Sequence, residues 1–157
     1  MNLHEQMEIN FAQSVFVDLT AFSSFMDPHD AYYAKARSLF LDLDDLDRTL
    51  VTTNYVMFET HQWLRNRYGF EHAQFFLETM DKAAAKSKLT IISGQPEFES
   101  ESRRLITDCP DLQLSLSEAV TAVVMITYQI KRIFTFNPNY AFLPKLDSGI
   151  KVLPSMW

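Results

Sequence analysis

The chain has 157 residues, a formal net charge of −6, 47% hydrophobic residues and 22% charged ones. It is long enough for one domain with a buried core, and its acidity excludes a general nucleic-acid coat protein, whose footprint would be basic. Three glycines leave no glycine-rich phosphate loop, and the single cysteine, Cys109, leaves no internal disulfide framework and fits a reducing compartment.

Residues 1–13 read as an N-terminal extension that mixes His4, Glu5 and Glu8 with amides and has no apolar signal core. Residues 14–157 read as one domain. No stretch approaches the ~20 apolar residues of a membrane span, so the expectation is a soluble cytoplasmic protein. Five short β-rich runs recur, at Val15–Val17, Leu50–Thr53, 89–93, 133–136 and 150–153. They are apolar and β-branched without strict alternation, as in strands covered on both faces.

Helical patterns separate them. Ala36, Leu39, Phe40 and Leu43 share a face within 31–43. Val56, Thr60, Trp63 and Leu64 follow, up to a stop at Gly69. Ala73, Phe76, Leu77, Met80 and Ala84 form the next stripe. Phe98, Ser102, Leu105 and Ile106 mark a helix closed by Cys109-Pro110, and 118–131 is the most apolar helix. Strands alternating with helices of this length predict a three-layer α/β/α sandwich around a mainly parallel sheet.

Several acids sit where one element hands over to the next. Asp18 directly follows the first strand, with Thr20 placed to orient it or a bound water; its structural alternative is the N-cap of a helix over 21–26. Glu59 lies one turn into the helix after strand two, in Tyr55-Val56-Met57-Phe58-Glu59-Thr60, where local context alone favours an ordinary exposed helical glutamate. Glu118 opens the apolar helix, and Ser115-x-x-Glu118 also matches a capping box. Asn137 ends the fourth strand, and Asn137-Pro138-Asn139 also reads as a turn. In an open parallel sheet the carboxyl ends of strands face one crevice, so these residues can converge on an acidic pocket suited to a hard divalent cation.

The remaining features read as structural. His61 and His72 have no partner at metal-ligand spacing. Asp42, Asp44, Asp45 and Asp47 lack the glycine and terminal glutamate of a calcium loop. The pairs Arg65/Arg67, Arg103/Arg104 and Lys131/Arg132 suit phosphate contact or plain surface. No Gly-x-Ser-x-Gly elbow is present.

The order of the segments Val15-Phe16-Val17-Asp18-Leu19-Thr20-Ala21-Phe22, Asp27-Pro28-His29-Asp30, Thr52-Thr53-Asn54-Tyr55-Val56-Met57-Phe58-Glu59, Leu116-Ser117-Glu118-Ala119 and Phe134-Thr135-Phe136-Asn137 resembles the PIN-domain family, in particular VapC-type ribonuclease toxins. The resemblance spans the chain from about residue 14 to Leu153. It implies a five-stranded sheet of order 3-2-1-4-5 and a cluster of acids holding Mg²⁺ or Mn²⁺ for hydrolysis of RNA phosphodiester bonds. Asp18 and Glu59 match the first two family acids. Glu118 stands at the third position, usually aspartate, and Asn137 at the fourth, often aspartate; Leu19 replaces a commonly polar residue. On this transfer Asp18, Glu59, Glu118 and Asn137 are catalytic, the first three are metal ligands, and Thr20 supports them. The implied partners are RNA, a small antitoxin protein and a second copy in a homodimer.

Two other readings stand beside the ribonuclease. One is a PIN-like binding protein with a decayed site, favoured by the residues at 118 and 137. The other is a phosphatase with Asp18 as nucleophile, which lacks the second aspartate that acid–base work at Asp18-x-Thr20 would use.

Overall fold

The computed structural model describes residues 11–154. Most of the expected N-terminal extension, residues 1–10, lies outside the described residues, as do residues 155–157. Within the described part, Phe11–Gln13 forms one 3-10 turn that tucks Phe11 into the core, edge-on to Tyr128 at 5.4 Å.

Five strands, β1 (Val15–Val17), β2 (Leu50–Thr53), β3 (Leu89–Ile92), β4 (Arg132–Phe134) and β5 (Lys151–Leu153), form one sheet of order β3-β2-β1-β4-β5. Every pairing is parallel, and Phe16 in the centre stands opposite Val51 on one side and Ile133 on the other. Successive strand residues point to opposite faces, yet Val15, Phe16 and Val17 are all fully buried, so both faces are covered.

The covering helices follow from the strand order. The chain steps from β1 to β2 to β3 in one direction, through α1 (Leu19–Met26) and α2 (Tyr33–Asp45), then α3 (Asn54–Tyr68) and α4 (Phe70–Ala85). It then reverses past β1 through α5 (Pro96–Asp108) and α6 (Leu116–Thr127) to reach β4. Right-handed crossovers in opposite directions put the two helix groups on opposite faces. The first face is welded by aromatic contacts running from Phe76 of α4 through Phe22 of α1 and Phe40 of α2 to Phe134 of β4, with centroids 5.7, 6.2 and 4.7 Å apart. On the other, α5 packs along α6, and Phe98 meets Tyr128. A short helix, α7 (Leu143–Leu146), leads into β5. No helix among the described residues is long and apolar enough to cross a membrane.

The three-layer sandwich and strand order agree with the sequence expectation; several element ends do not. β4 stops at Phe134 and not at residue 136: the Thr135 N–H still donates to Leu153 O of β5 at 3.0 Å, but the two N–H groups after it turn away from the ladder. Phe136 N–H donates to Thr20 Oγ1 and Asn137 N–H to Thr135 Oγ1, each at 2.9 Å. The last long helix starts at Leu116 and ends at Thr127, short of residue 131, where Gln129 takes a left-handed φ of 56°. The second helix runs two residues later than expected, over Tyr33–Asp45.

Candidate functional site

The point where the strand order reverses lies between β1 and β4, and in sheets of this kind that is where a crevice opens at the carboxyl ends of the strands. A cleft lies there. Its walls include Asp18 and Thr20 after β1, Tyr55 and Glu59 from α3, Ser117 and Glu118 from α6, and Asn137 after β4. All five residues singled out in the sequence therefore meet in one place.

Asp18 sits on the floor, 3% exposed. Its backbone N–H continues the sheet by donating to Phe134 O at 3.3 Å, and its side chain caps α1 by accepting the Ala21 N–H at 3.1 Å. The capping role and the cleft position are thus both real. Two hydroxyls complete its shell: Thr20 Oγ1 donates to Oδ1 and Thr135 Oγ1 to Oδ2, each at 2.7 Å. Each threonine oxygen also accepts a backbone N–H, from Phe136 and Asn137 respectively, which directs its single hydroxyl proton at Asp18. Burial pushes the Asp18 pKa up to about 6, and these hydrogen bonds only partly offset that. Among the described residues no lysine or arginine pairs with Asp18.

Glu118 is also buried, at 7% exposure, and is held on both oxygens. The capping box is complete: Ser115 N–H donates to Glu118 Oε1 at 2.9 Å, and Glu118 N–H to Ser115 Oγ at 3.1 Å. Oε2 accepts the side-chain amides of Asn137 at 3.0 Å and Asn139 at 2.9 Å. Burial alone would raise its pKa, but the donors from Ser115, Asn139 and Asn137 outweigh it, and the carboxyl lies below its usual value. Asn137 in turn accepts the Asn139 N–H at 3.0 Å, so the turn expected there forms as well. Glu59 stands exposed at the rim and accepts a hydrogen bond from the Ser117 hydroxyl.

Tyr140 closes the floor, hydrogen-bonded to Thr121. Burial first, then the negative charge of Asp18, hold its hydroxyl well above the ordinary pKa. Tyr55 lines the opposite wall at the start of α3, whose first turn is capped by Thr53 Oγ1 accepting the Val56 N–H at 3.2 Å. A Cβ on Gly94 would lie 2.2 Å from the Tyr55 hydroxyl, so the glycine makes room for that ring.

The site's donor set is hard oxygen throughout, the kind that suits Mg²⁺ or Mn²⁺. Among the described residues no three acids, histidines or cysteines form a metal-ligand cluster. Asp18 and Glu59 fit a divalent ion in kind, since Mg²⁺ is commonly held by one or two carboxylates plus water and substrate phosphate. A cation there would also offset the unpaired buried charge of Asp18. Glu118 already accepts three hydrogen bonds on its two oxygens.

Sequence reasoning missed Thr135, Ser117, Asn139 and Tyr55. Thr135 had a signal, as a hydroxyl residue at a strand's carboxyl end two positions before Asn137. The others are recognisable only once α3, α6 and the 137–139 turn are brought together. Among the residues given a structural reading, His72 stacks on Tyr68 at 4.8 Å, and the Cys109 N–H donates to Leu105 O at the end of α5. Asp44 pairs with Lys88, Arg104 with Glu101 and Lys131 with Asp147, while the Arg67 guanidinium lies 5.3 Å from the Trp63 ring centroid.

No protein-family model matches the sequence, and no curated protein matches it. Among solved structures, the fold is similar to that of Mycobacterium tuberculosis VapC20, a sarcin-ricin loop cleaving toxin. The TM-score is 0.70 at 20% identity, over 82% of this chain and 93% of that one. The resemblance to VapC-type PIN domains read from the sequence thus holds as a likeness of fold.

Proposed function

We propose that the cleft hydrolyses RNA phosphodiester bonds with the help of a divalent cation, Mg²⁺ or Mn²⁺. The observation that carries this reading is the convergence of Asp18, Glu59 and Glu118, from three separate elements, on one cleft at the reversal point of the sheet. The fold likeness to a sarcin-ricin loop cleaving toxin supports it.

Bound at Asp18 and Glu59, the ion would supply Lewis acidity toward a phosphoryl oxygen and a water acidified enough to attack phosphorus. The protein's own contribution is positional. Thr20 and Thr135 fix the Asp18 carboxylate in one orientation, so its charge needs little reorganisation on binding. Ser117 orients Glu59 from across the cleft. Tyr140 excludes water from the floor and stays protonated. The Glu118 knot holds the first turn of α6 against the 137–139 turn, which keeps the cleft in shape.

On the same reading the partners are RNA, a small antitoxin protein and a second copy of the chain, and the compartment is the cytoplasm. Phe58, Phe70 and Phe75 are each 60% exposed or more, which suits protein contacts. A second reading, a binding protein with a decayed site, is favoured by the hydrogen-bonded saturation of Glu118 by Asn137 and Asn139. Calorimetric Mn²⁺ titration separates the two. The nuclease reading expects binding that disappears in Asp18→Asn; a wild type that binds no Mn²⁺ hands the case to the binding protein.

A further inference from the structure

We infer that Glu118 is a positioning residue for Glu59, acting through Ser117, and not a ligand of the ion. The inference deepens the metal-dependent reading of the cleft, and one arm of its test is independent of that reading.

Both oxygens of Glu118 are already engaged. Oε1 is taken by the Ser115 N–H at 2.9 Å, and Oε2 by two side-chain amides at 3.0 and 2.9 Å. A cation approaching Oε2 would meet two amide groups whose hydrogens point at the same oxygen, and binding there would break both bonds and leave the half-buried Asn137 amide without this acceptor. The carboxylate is therefore spent on joining two segments, the first turn of α6 and the turn at 137–139.

Ser117 lies one residue away on that anchored turn. Its hydroxyl donates to Glu59 Oε1, bridging 58 positions in sequence. Glu59 is otherwise an exposed side chain on the outer part of α3, and such glutamates sample many rotamers. Among the described residues, the polar contact that holds its carboxylate at the cleft is this one, which depends on where α6 begins, and Glu118 closes the capping box that starts α6. Partners that orient a ligand from one bond away commonly change metal affinity by about 10- to 100-fold when removed. Glu118 stands one step further out.

The test has a metal-free arm and a metal arm, both on the full chain. In EDTA, the side-chain carboxyl ¹³C resonance of Glu59 is followed in wild type, Ser117→Ala, Ser117→Thr, Glu118→Gln and Asn139→Ala. Ser117→Ala and Glu118→Gln are expected to shift it in the same direction, Asn139→Ala less so, and Ser117→Thr to restore the wild-type position. Asn139→Ala removes one donor to Glu118 and keeps the backbone, so it serves if Glu118→Gln does not fold. A Glu59 resonance that ignores both Glu118→Gln and Asn139→Ala overturns the inference.

In the metal arm, Mn²⁺ affinity is measured calorimetrically for Ser117→Ala, Glu118→Gln and the double variant. Positioning through one path predicts about tenfold weakening in each single variant and no further loss in the double. Multiplicative losses, or abolition of binding by Glu118→Gln as by Asp18→Asn, would make Glu118 a ligand and overturn the inference. A wild type that binds no Mn²⁺ refutes the metal-dependent function, while the carboxyl resonance still decides whether Glu118 positions Glu59.

Discussion

Thr135 donates its hydroxyl proton to Asp18 Oδ2 at 2.7 Å, joining residues 117 positions apart. Both groups are buried, and the same oxygen of Thr135 receives the Asn137 N–H. The contact therefore ties the ends of β1 and β4 together and fixes the cleft floor.

Replacing Thr135 by valine keeps the shape and removes the hydroxyl. Asp18 loses one donor and Asn137 loses an acceptor, so stability should fall by about 1–3 kcal/mol. The Asp18 pKa should rise further above about 6, since the Thr135 bond lowers it. Urea unfolding and ¹³C titration of Asp18 measure the two effects; an unchanged Asp18 titration would remove Thr135 from the site.

The pH dependence has a defined sign. Asp18 has a folded pKa of about 6, raised from 3.8, so between these values the folded protein keeps a proton that the unfolded chain has lost. Stability from this group is full below about 3.8, falls as pH rises to about 6, and is flat above, an effect of about 3 kcal/mol in total. Glu118 works the other way, its lowered pKa giving stability that is lost as pH falls through the folded value. Comparing wild type with Asp18→Asn in EDTA cancels the Glu118 term. The variant should lose less stability than wild type between pH 4 and pH 7.5; equal losses would mean that Asp18 titrates normally.

Asn137→Asp places a second carboxylate where an amide now donates to Glu118 Oε2. In EDTA the variant should be less stable by about 1–3 kcal/mol through the lost bond and the like charge. Mn²⁺ should restore more stability to it than to wild type, because a further carboxylate lining the cleft strengthens binding of a hard cation. Thermal melts with and without Mn²⁺ read this directly. An Asn137→Asp protein as stable as wild type in EDTA would show that the knot around Glu118 is not formed.

Gly94→Ala should push the Tyr55 ring out of the cleft wall, because the new Cβ would lie 2.2 Å from its hydroxyl and 2.4 Å from Cζ. The expected cost is about 1–3 kcal/mol, as for overpacking elsewhere. Most of it should vanish in the Gly94→Ala/Tyr55→Ala double variant, where the clash has no partner. Costs that simply add would place the strain somewhere other than Tyr55.

Much of this arrangement was legible in the sequence, for local reasons. Buried parallel strands show as short β-branched runs, and the capping residues Asp18 and Ser115 mark helix starts through bonds made within three residues. The order 3-2-1-4-5 came from resemblance of the whole motif series, not from any one run. What stayed hidden depends on distant contacts. The Ser117–Glu59 and Thr135–Asp18 bonds join residues 58 and 117 positions apart. The early end of α6 was hidden for another reason, since Gln129 takes a left-handed turn that glycine would have announced.

The most direct test of the central claim is cleavage of a labelled, structured RNA by wild type and Asp18→Asn across a Mn²⁺ titration at pH 7.5. Cleavage should rise to saturation with Mn²⁺, stop in EDTA, and drop in Asp18→Asn to the level of the EDTA control. Cleavage that survives Asp18→Asn, or a wild type that binds Mn²⁺ and leaves RNA intact, would contradict it.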